Sequence, residues 1–151
     1  MASMFRAAGY YVGAFNLDIS GSGWNTSNVT DMSYMFDQAG CYASIWSIGD
    51  LSGWKTNSVT DMSYMFWKAG SEAEVWNIGD LSGWSTGNVT TMRNMFEGAG
   101  RYASTWDIGN LNYVDEDHKG WDVHKVTNHY GFVSWSQSNI DIYKLPWQSN
   151  Y

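Results

Sequence analysis

The chain has 151 residues, the length of one domain, able to bury roughly 70% of its unfolded surface. Its net charge of −7, with only 8 Lys and Arg, excludes the basic patches that drive nucleic-acid binding. A single cysteine, Cys41, excludes an intrachain disulfide and a multi-cysteine zinc site, and neither a membrane-spanning apolar run nor a signal peptide is recognisable.

Taken in order, the chain opens on "SMFRAAG", Ser3 to Gly9, which aligns with "YMFDQAG", Tyr34 to Gly40. It therefore starts within a repeat, and we read it as an N-terminally truncated piece of a longer protein. Phe15, Leu17 and Ile19 then alternate with polar residues, as in a short strand. From Ser22 the sequence "SGWNTSNVTDMSYMF" appears, and it recurs with changes at Ser52 and Ser82. Trp24, Trp54 and Trp84 stand 30 apart, as do Met35, Met65 and Met95.

Each unit has two halves. Val59, Met62, Met65, Phe66 and Ala69 follow the three-and-four spacing of one helical face. Ser58 with Asp61, and Asn28 with Asp31, resemble capping boxes, and Gly40, Gly70 and Gly100 stand where a helix would end. The sequons at Asn28 and Asn88 read better as helix N-caps, and a third begins at Asn25. In the other half, Trp46 and Ile48 flank Ser47 as a short strand does. One short helix and one short strand cannot bury their faces alone, but stacked copies can.

The expected architecture is an α/β solenoid with a parallel sheet on one side. Its units would span about 3–32, 33–62, 63–92 and 93–120, and one domain would cover 1–151. Trp46, Trp76 and Trp106 would form one internal ladder, Met62 and Met92 another, and Phe36, Phe66 and Phe96 a third. Asn112 to Lys119 is an insertion. The segment from about Trp121 to Tyr151 restates the repeat loosely, with His129 in a methionine slot, and reads as a C-terminal cap.

The pattern W-x-T-x-x-V-T-x-M-x-x-M-F-x-x-A-G, filled by Trp24, Thr26, Val29, Thr30, Met32, Met35 and Phe36, resembles the BspA-like leucine-rich repeat of bacterial surface proteins. The variety is the one also found in mycoplasma lipoproteins, and the resemblance covers Met4 to Phe132. It implies a right-handed leucine-rich-repeat-like solenoid, a bacterial or mobile-element origin, an extracellular or cell-surface location, and a role in adhesion or recognition. It carries no catalytic residues. The unit here is longer than the commoner pattern, and Ala-Gly stands where many members have cysteine.

No catalytic constellation is apparent, so no enzyme activity and no cofactor are expected. Asp115, Glu116 and Asp117 beside His118 form a weak calcium candidate, and a solvated acidic loop explains them as well. Asp50, Asp80 and Asn110 recur one unit apart, as do Asp31 and Asp61, and we assign them to backbone turns. The seven framework tryptophans are expected in the core.

The varied positions are the candidate recognition set. After each glycine stand Tyr10-Tyr11, Cys41-Tyr42, Ser71-Glu72 and Arg101-Tyr102, and before it Asp37-Gln38, Trp67-Lys68 and Glu97-Gly98. Along the outer strand face, Asn16, Ser47, Asn77 and Asp107 vary. We take Tyr10, Tyr11, Tyr42, Trp67, Glu72, Arg101, Tyr102, Asn16, Ser47, Asn77 and Asp107 as ligand-binding candidates, against drift of a solvated face. The expected partner is a protein or glycan on a host or neighbouring cell, with no nucleic acid and no membrane embedding. Two alternatives are a spacer that self-associates end to end, and the receptor-binding part of a phage or secretion-system fibre.

Overall fold

A computed structural model of the chain describes residues 1–20, 23–112, 120–134 and 146–147. The elements are four short strands, β1 (Ala14–Asn16), β2 (Ile45–Ser47), β3 (Val75–Asn77) and β4 (Thr105–Asp107). β1 pairs with β2 and β3 with β4, both parallel, with Phe15 opposite Trp46 and Trp76 opposite Trp106. A second line of parallel pairing joins Asp31, Asp61, Thr91 and Asn128.

The expected helix-plus-strand α/β solenoid is overturned, because the described residues contain no helix. The segment from Met62 to Gly70 is a run of overlapping turns. Met65, Trp67 and Ala69 donate their N–H groups three residues back, to Met62, Tyr64 and Phe66, at 3.3, 3.2 and 3.0 Å. The N–H groups between them leave the unit. Tyr64, Phe66 and Lys68 donate to the carbonyls of Arg93, Met95 and Glu97 in the next unit, each at 2.8 Å. An α-helix would have sent every one of these bonds four residues back.

The backbone signs agree. Tyr64 and Lys68 have φ of 57° and 53°, at the third position of their turns, where type II geometry requires a positive φ. The same slots are left-handed at Tyr34 and Gln38. A lone helix of this length is marginal, since isolated helices under about 12–15 residues barely form in water. Hydrogen bonds to a neighbouring copy take its place.

The residues expected as caps bond elsewhere. Ser58 Oγ donates to the Ser27 carbonyl at 2.7 Å, in the preceding unit. Asp61 Oδ1 accepts from Ser63 N–H at 2.8 Å and Ser63 Oγ at 2.6 Å, an Asx turn. Asn88 Nδ2 donates to the Asn57 carbonyl at 2.9 Å, and Asn28 is exposed with no helix to cap.

The inward columns are as expected. Phe36, Phe66 and Phe96 are 0% exposed and stack at 5.4 and 5.3 Å between centroids. Trp46, Trp76 and Trp106 stack at 5.3 Å at each step. These spacings follow the inter-strand distance of about 4.8 Å, widened because the rings are offset. Each indole N–H is satisfied by a backbone carbonyl, Trp46 by Ala39 and Trp76 by Ala69, at 3.0 and 2.9 Å. Trp54, Trp84 and Trp121 form a further column, at 6.5 and 6.1 Å. Of the framework tryptophans, Trp24 and Trp106 are only half-buried.

Gly70 shows why glycine follows each run of turns. Its φ is +53°, and a Cβ there would lie 2.7 Å from Trp46 Cγ. The bare backbone lets the indole of the preceding unit lie flat against it. Beyond the insertion Gly131 takes the left-handed slot of Asn94 and Phe132 that of Met95, as the Phe132 carbonyl accepting from Phe96 N–H at 2.8 Å indicates.

Candidate binding face

With the inward columns filled, the side chains left between them form an outward array. Inter-unit hydrogen bonds set its columns: Tyr42 N–H to the Tyr10 carbonyl, Glu72 N–H to Cys41, and Tyr102 N–H to Ser71. Tyr11, Tyr42, Glu72 and Tyr102 therefore share one register position. The three tyrosines are 84%, 52% and 60% exposed. Tyr10, Tyr11 and Tyr42 form one cluster, with Tyr11 and Tyr42 stacked at 5.6 Å and Tyr10 edge-on to Tyr42 at 5.2 Å. A hydrogen bond with Tyr42 raises the Tyr10 phenol above its ordinary range. Arg101 lies over the Tyr102 ring at 5.3 Å.

Trp67 is half-buried and apart from the tyrosine cluster. It packs edge-on to Tyr64 at 6.2 Å, and Lys68 Nζ sits 4.5 Å above its ring. Its indole N–H is buried without a partner. Asn16, Ser47, Asn77 and Asp107 are exposed on the strand face, but two are engaged in turns. Asn77 and Asp107 accept from the N–H groups of Gly79 and Gly109 at 2.8 and 2.9 Å.

The repeated carboxylates also serve turns. Asp50 and Asp80 accept from Ser52 and Ser82 N–H at 2.8 and 2.9 Å, and Asn110 accepts from Asn112. Asp115, Glu116, Asp117 and His118 lie outside the described residues, among which no group of three or more His, Cys, Asp or Glu is placed to hold a metal ion. Burial pushes the Cys41 thiol up, away from the reactive thiolate. Burial also raises the Asp37 carboxyl, although Arg6 Nε approaches its Oδ2 to 2.7 Å. That oxygen accepts no aligned hydrogen bond, so the contact is one of charge.

Two arrangements were not foreseen, although all five residues of the second stand among the varied positions. The first is a column of stacked tyrosines, Tyr34 on Tyr64 at 4.7 Å, flanked by Arg6 over Tyr34 at 5.1 Å and Arg93 over Tyr64 at 5.9 Å. Its sequence signal is the slot that reads Tyr34, Tyr64 and then Asn94. The second is a cleft of about 290 Å³ lined by Lys68, Ser71, Glu97, Gly98 and Arg101. Its sequence signal is the slot before the glycine, which changes from Gln38 to Lys68 to Gly98. A second cleft, of about 370 Å³, has hydroxyl and glycine walls including Ser82, Ser85, Gly87 and Asp122.

Copies of one 30-residue unit, joined by backbone bonds and ring ladders, define a stacked-repeat protein with a variable outer face. The chain belongs to the family described as Mycoplasma protein of unknown function, DUF285, whose model matches residues 1–148. The mycoplasma part of the resemblance stands. No curated protein and no solved structure matches the chain. The described residues include no helix long and apolar enough to cross a membrane.

Proposed function

We propose that this chain is a non-catalytic recognition module at an extracellular or cell-surface location, binding a protein or glycan of a host or neighbouring cell. The observation that carries the reading is the contrast between frame and face. Phe36, Phe66, Met65 and Trp76 are 0% exposed, while Tyr11, Tyr42 and Tyr102 project from the same stack at 84%, 52% and 60%. Exposed tyrosines contribute nothing to a core, and they bring large contact area with few rotamers to lose. The resemblance of the W-x-T-x-x-V-T motif to BspA-like surface repeats supports the same reading.

The test is a binding screen of the immobilised chain against glycans and cell-surface extracts. Beside it runs a variant carrying Tyr11→Ser, Tyr42→Ser and Tyr102→Ser. Capture by the parent and loss in the variant, with melting unchanged, is the expected result. Equal capture by both would move recognition away from this column. No capture by either would leave a spacer role.

A further inference from the structure

The cleft beside the tyrosine column has a chemistry of its own. Of the chain's 8 Lys and Arg, two line this one cavity, Lys68 and Arg101, in a molecule of net charge −7. Each cation is held against an aromatic face, Lys68 over Trp67 at 4.5 Å and Arg101 over Tyr102 at 5.3 Å. A cation resting on a ring is partly desolvated and aimed, which favours a fixed anion over a hydrated one. Glu97 adds one carboxylate and Ser71 one hydroxyl. Two cations and one carboxylate line the cleft, and the Asp37 carboxyl lies near enough to Lys68 to feel its charge.

The cleft exists because a side chain is missing. Gln38 and Lys68 occupy the slot in the preceding units, and Gly98 leaves it empty. A Cβ on Gly98 would meet Lys68 Cγ at 3.1 Å. Glycine is not demanded by the backbone, because Gln38 adopts φ 57° and Lys68 φ 53° at the same position.

We infer that this cleft takes one acidic sugar residue, its carboxylate set between Lys68 and Arg101 and its hydroxyls on Glu97 and Ser71. The inference rests on the recognition reading and names its ligand class. The volume lies at the lower end of small-molecule sites, roughly 300 Å³, so one ring fits and a folded peptide does not. Glu97 discriminates further. It repels a second acid and accepts hydrogen bonds from hydroxyls, which a sugar supplies in number and an acidic amino-acid side chain lacks. The guanidinium has five donors, so it serves a carboxylate and other partners together.

The experiment titrates the chain with glucuronate, glucose and glutamate, and repeats it on Gly98→Gln. Glucuronate should bind. Glucose should bind at least about tenfold more weakly, the loss expected for a charge-assisted bond. Gly98→Gln refills the slot with the residue that the second unit carries there, Gln38. It should weaken glucuronate at least about tenfold in a chain that still melts cooperatively, with the melting temperature lowered by a Cβ at φ +69° and 3.1 Å from Lys68 Cγ. Glutamate binding as tightly as glucuronate would overturn the sugar assignment. Absent glucuronate binding, or full binding by Gly98→Gln, would overturn the cleft. Should the parent capture surface extracts while glucuronate fails, recognition stands and this site falls. Should glucuronate bind while the extracts yield nothing, the cleft stands and the cell-surface partner falls.

Discussion

Trp76 stacks on Trp46 with ring centroids 5.3 Å apart and planes 7° from parallel, across thirty residues of chain. Neither ring could be buried by its own unit. Trp76 also touches Phe66 and Phe96 edge-on, at 6.0 and 6.2 Å, so it ties two ladders together. Trp76→Ala should cost about 3–5 kcal/mol, the range for deleting a large buried aromatic, and should leave the Ala69 carbonyl with only its bond from Gly100 N–H. Denaturant unfolding measures it. A loss below about 1 kcal/mol would be a surface value and would contradict the ladder.

Two glycines that each recur in successive units should part company. Gly70→Ala forces a Cβ to within 2.7 Å of Trp46 Cγ at a left-handed φ, and should cost more than about 1 kcal/mol. Gly53 has nothing within 4 Å of its Cβ position and no left-handed φ. Gly53→Ala should fall between neutral and a gain of about 0.5 kcal/mol through the unfolded chain. Thermal melts of the pair decide it.

Asp37 should set an unusual pH dependence. Its side chain is 1% exposed and burial raises its carboxyl above 3.8, against the smaller lowering by Gln38 and Arg6. The native state then binds its proton more tightly than the unfolded chain. Stability from this group is present below the unfolded value and is lost as pH rises through the raised native value. Asp18 and Asp122 run the other way, lowered by hydrogen bonds from Ser20 and His124, so their contributions fade as pH falls. Asp37→Asn should therefore gain on the parent as pH rises from acid to neutral, since the Arg6 partner is half exposed and adds little. Melting temperature against pH for both proteins is the measurement, and a variant that falls behind at neutral pH would show the ion pair outweighing burial.

Tyr64 holds a left-handed φ of 57° in a slot that Asn94 fills in the next unit. Asparagine tolerates that conformation better than tyrosine. Tyr64→Asn exchanges backbone relief for the lost stack on Tyr34, two effects of about 1 kcal/mol each, so stability should stay within about 1 kcal/mol. A chemical denaturation curve checks it. A larger loss would make the tyrosine column part of the frame.

The letters alone picked out the inward ladders, but Asp37, Cys41 and Ser71, read from their variation as outward, are buried. Phe66, Met62, Trp76 and their copies recur at a fixed period, and only stacking on a neighbour gives identical apolar residues a place to go. Tertiary structure decided what joins them. Inward spacing at Val59, Met62, Met65, Phe66 and Ala69 fits an α-helix and a run of turns equally well. The difference lies in where Tyr64, Phe66 and Lys68 send their N–H groups, and those acceptors sit in another unit, thirty residues away. The outward face divides in the same manner. Tyr42 and Tyr102 were legible as variation on a constant frame. The cleft was not, because Gly98 is an empty place only once Lys68 and Arg101 stand on either side of it.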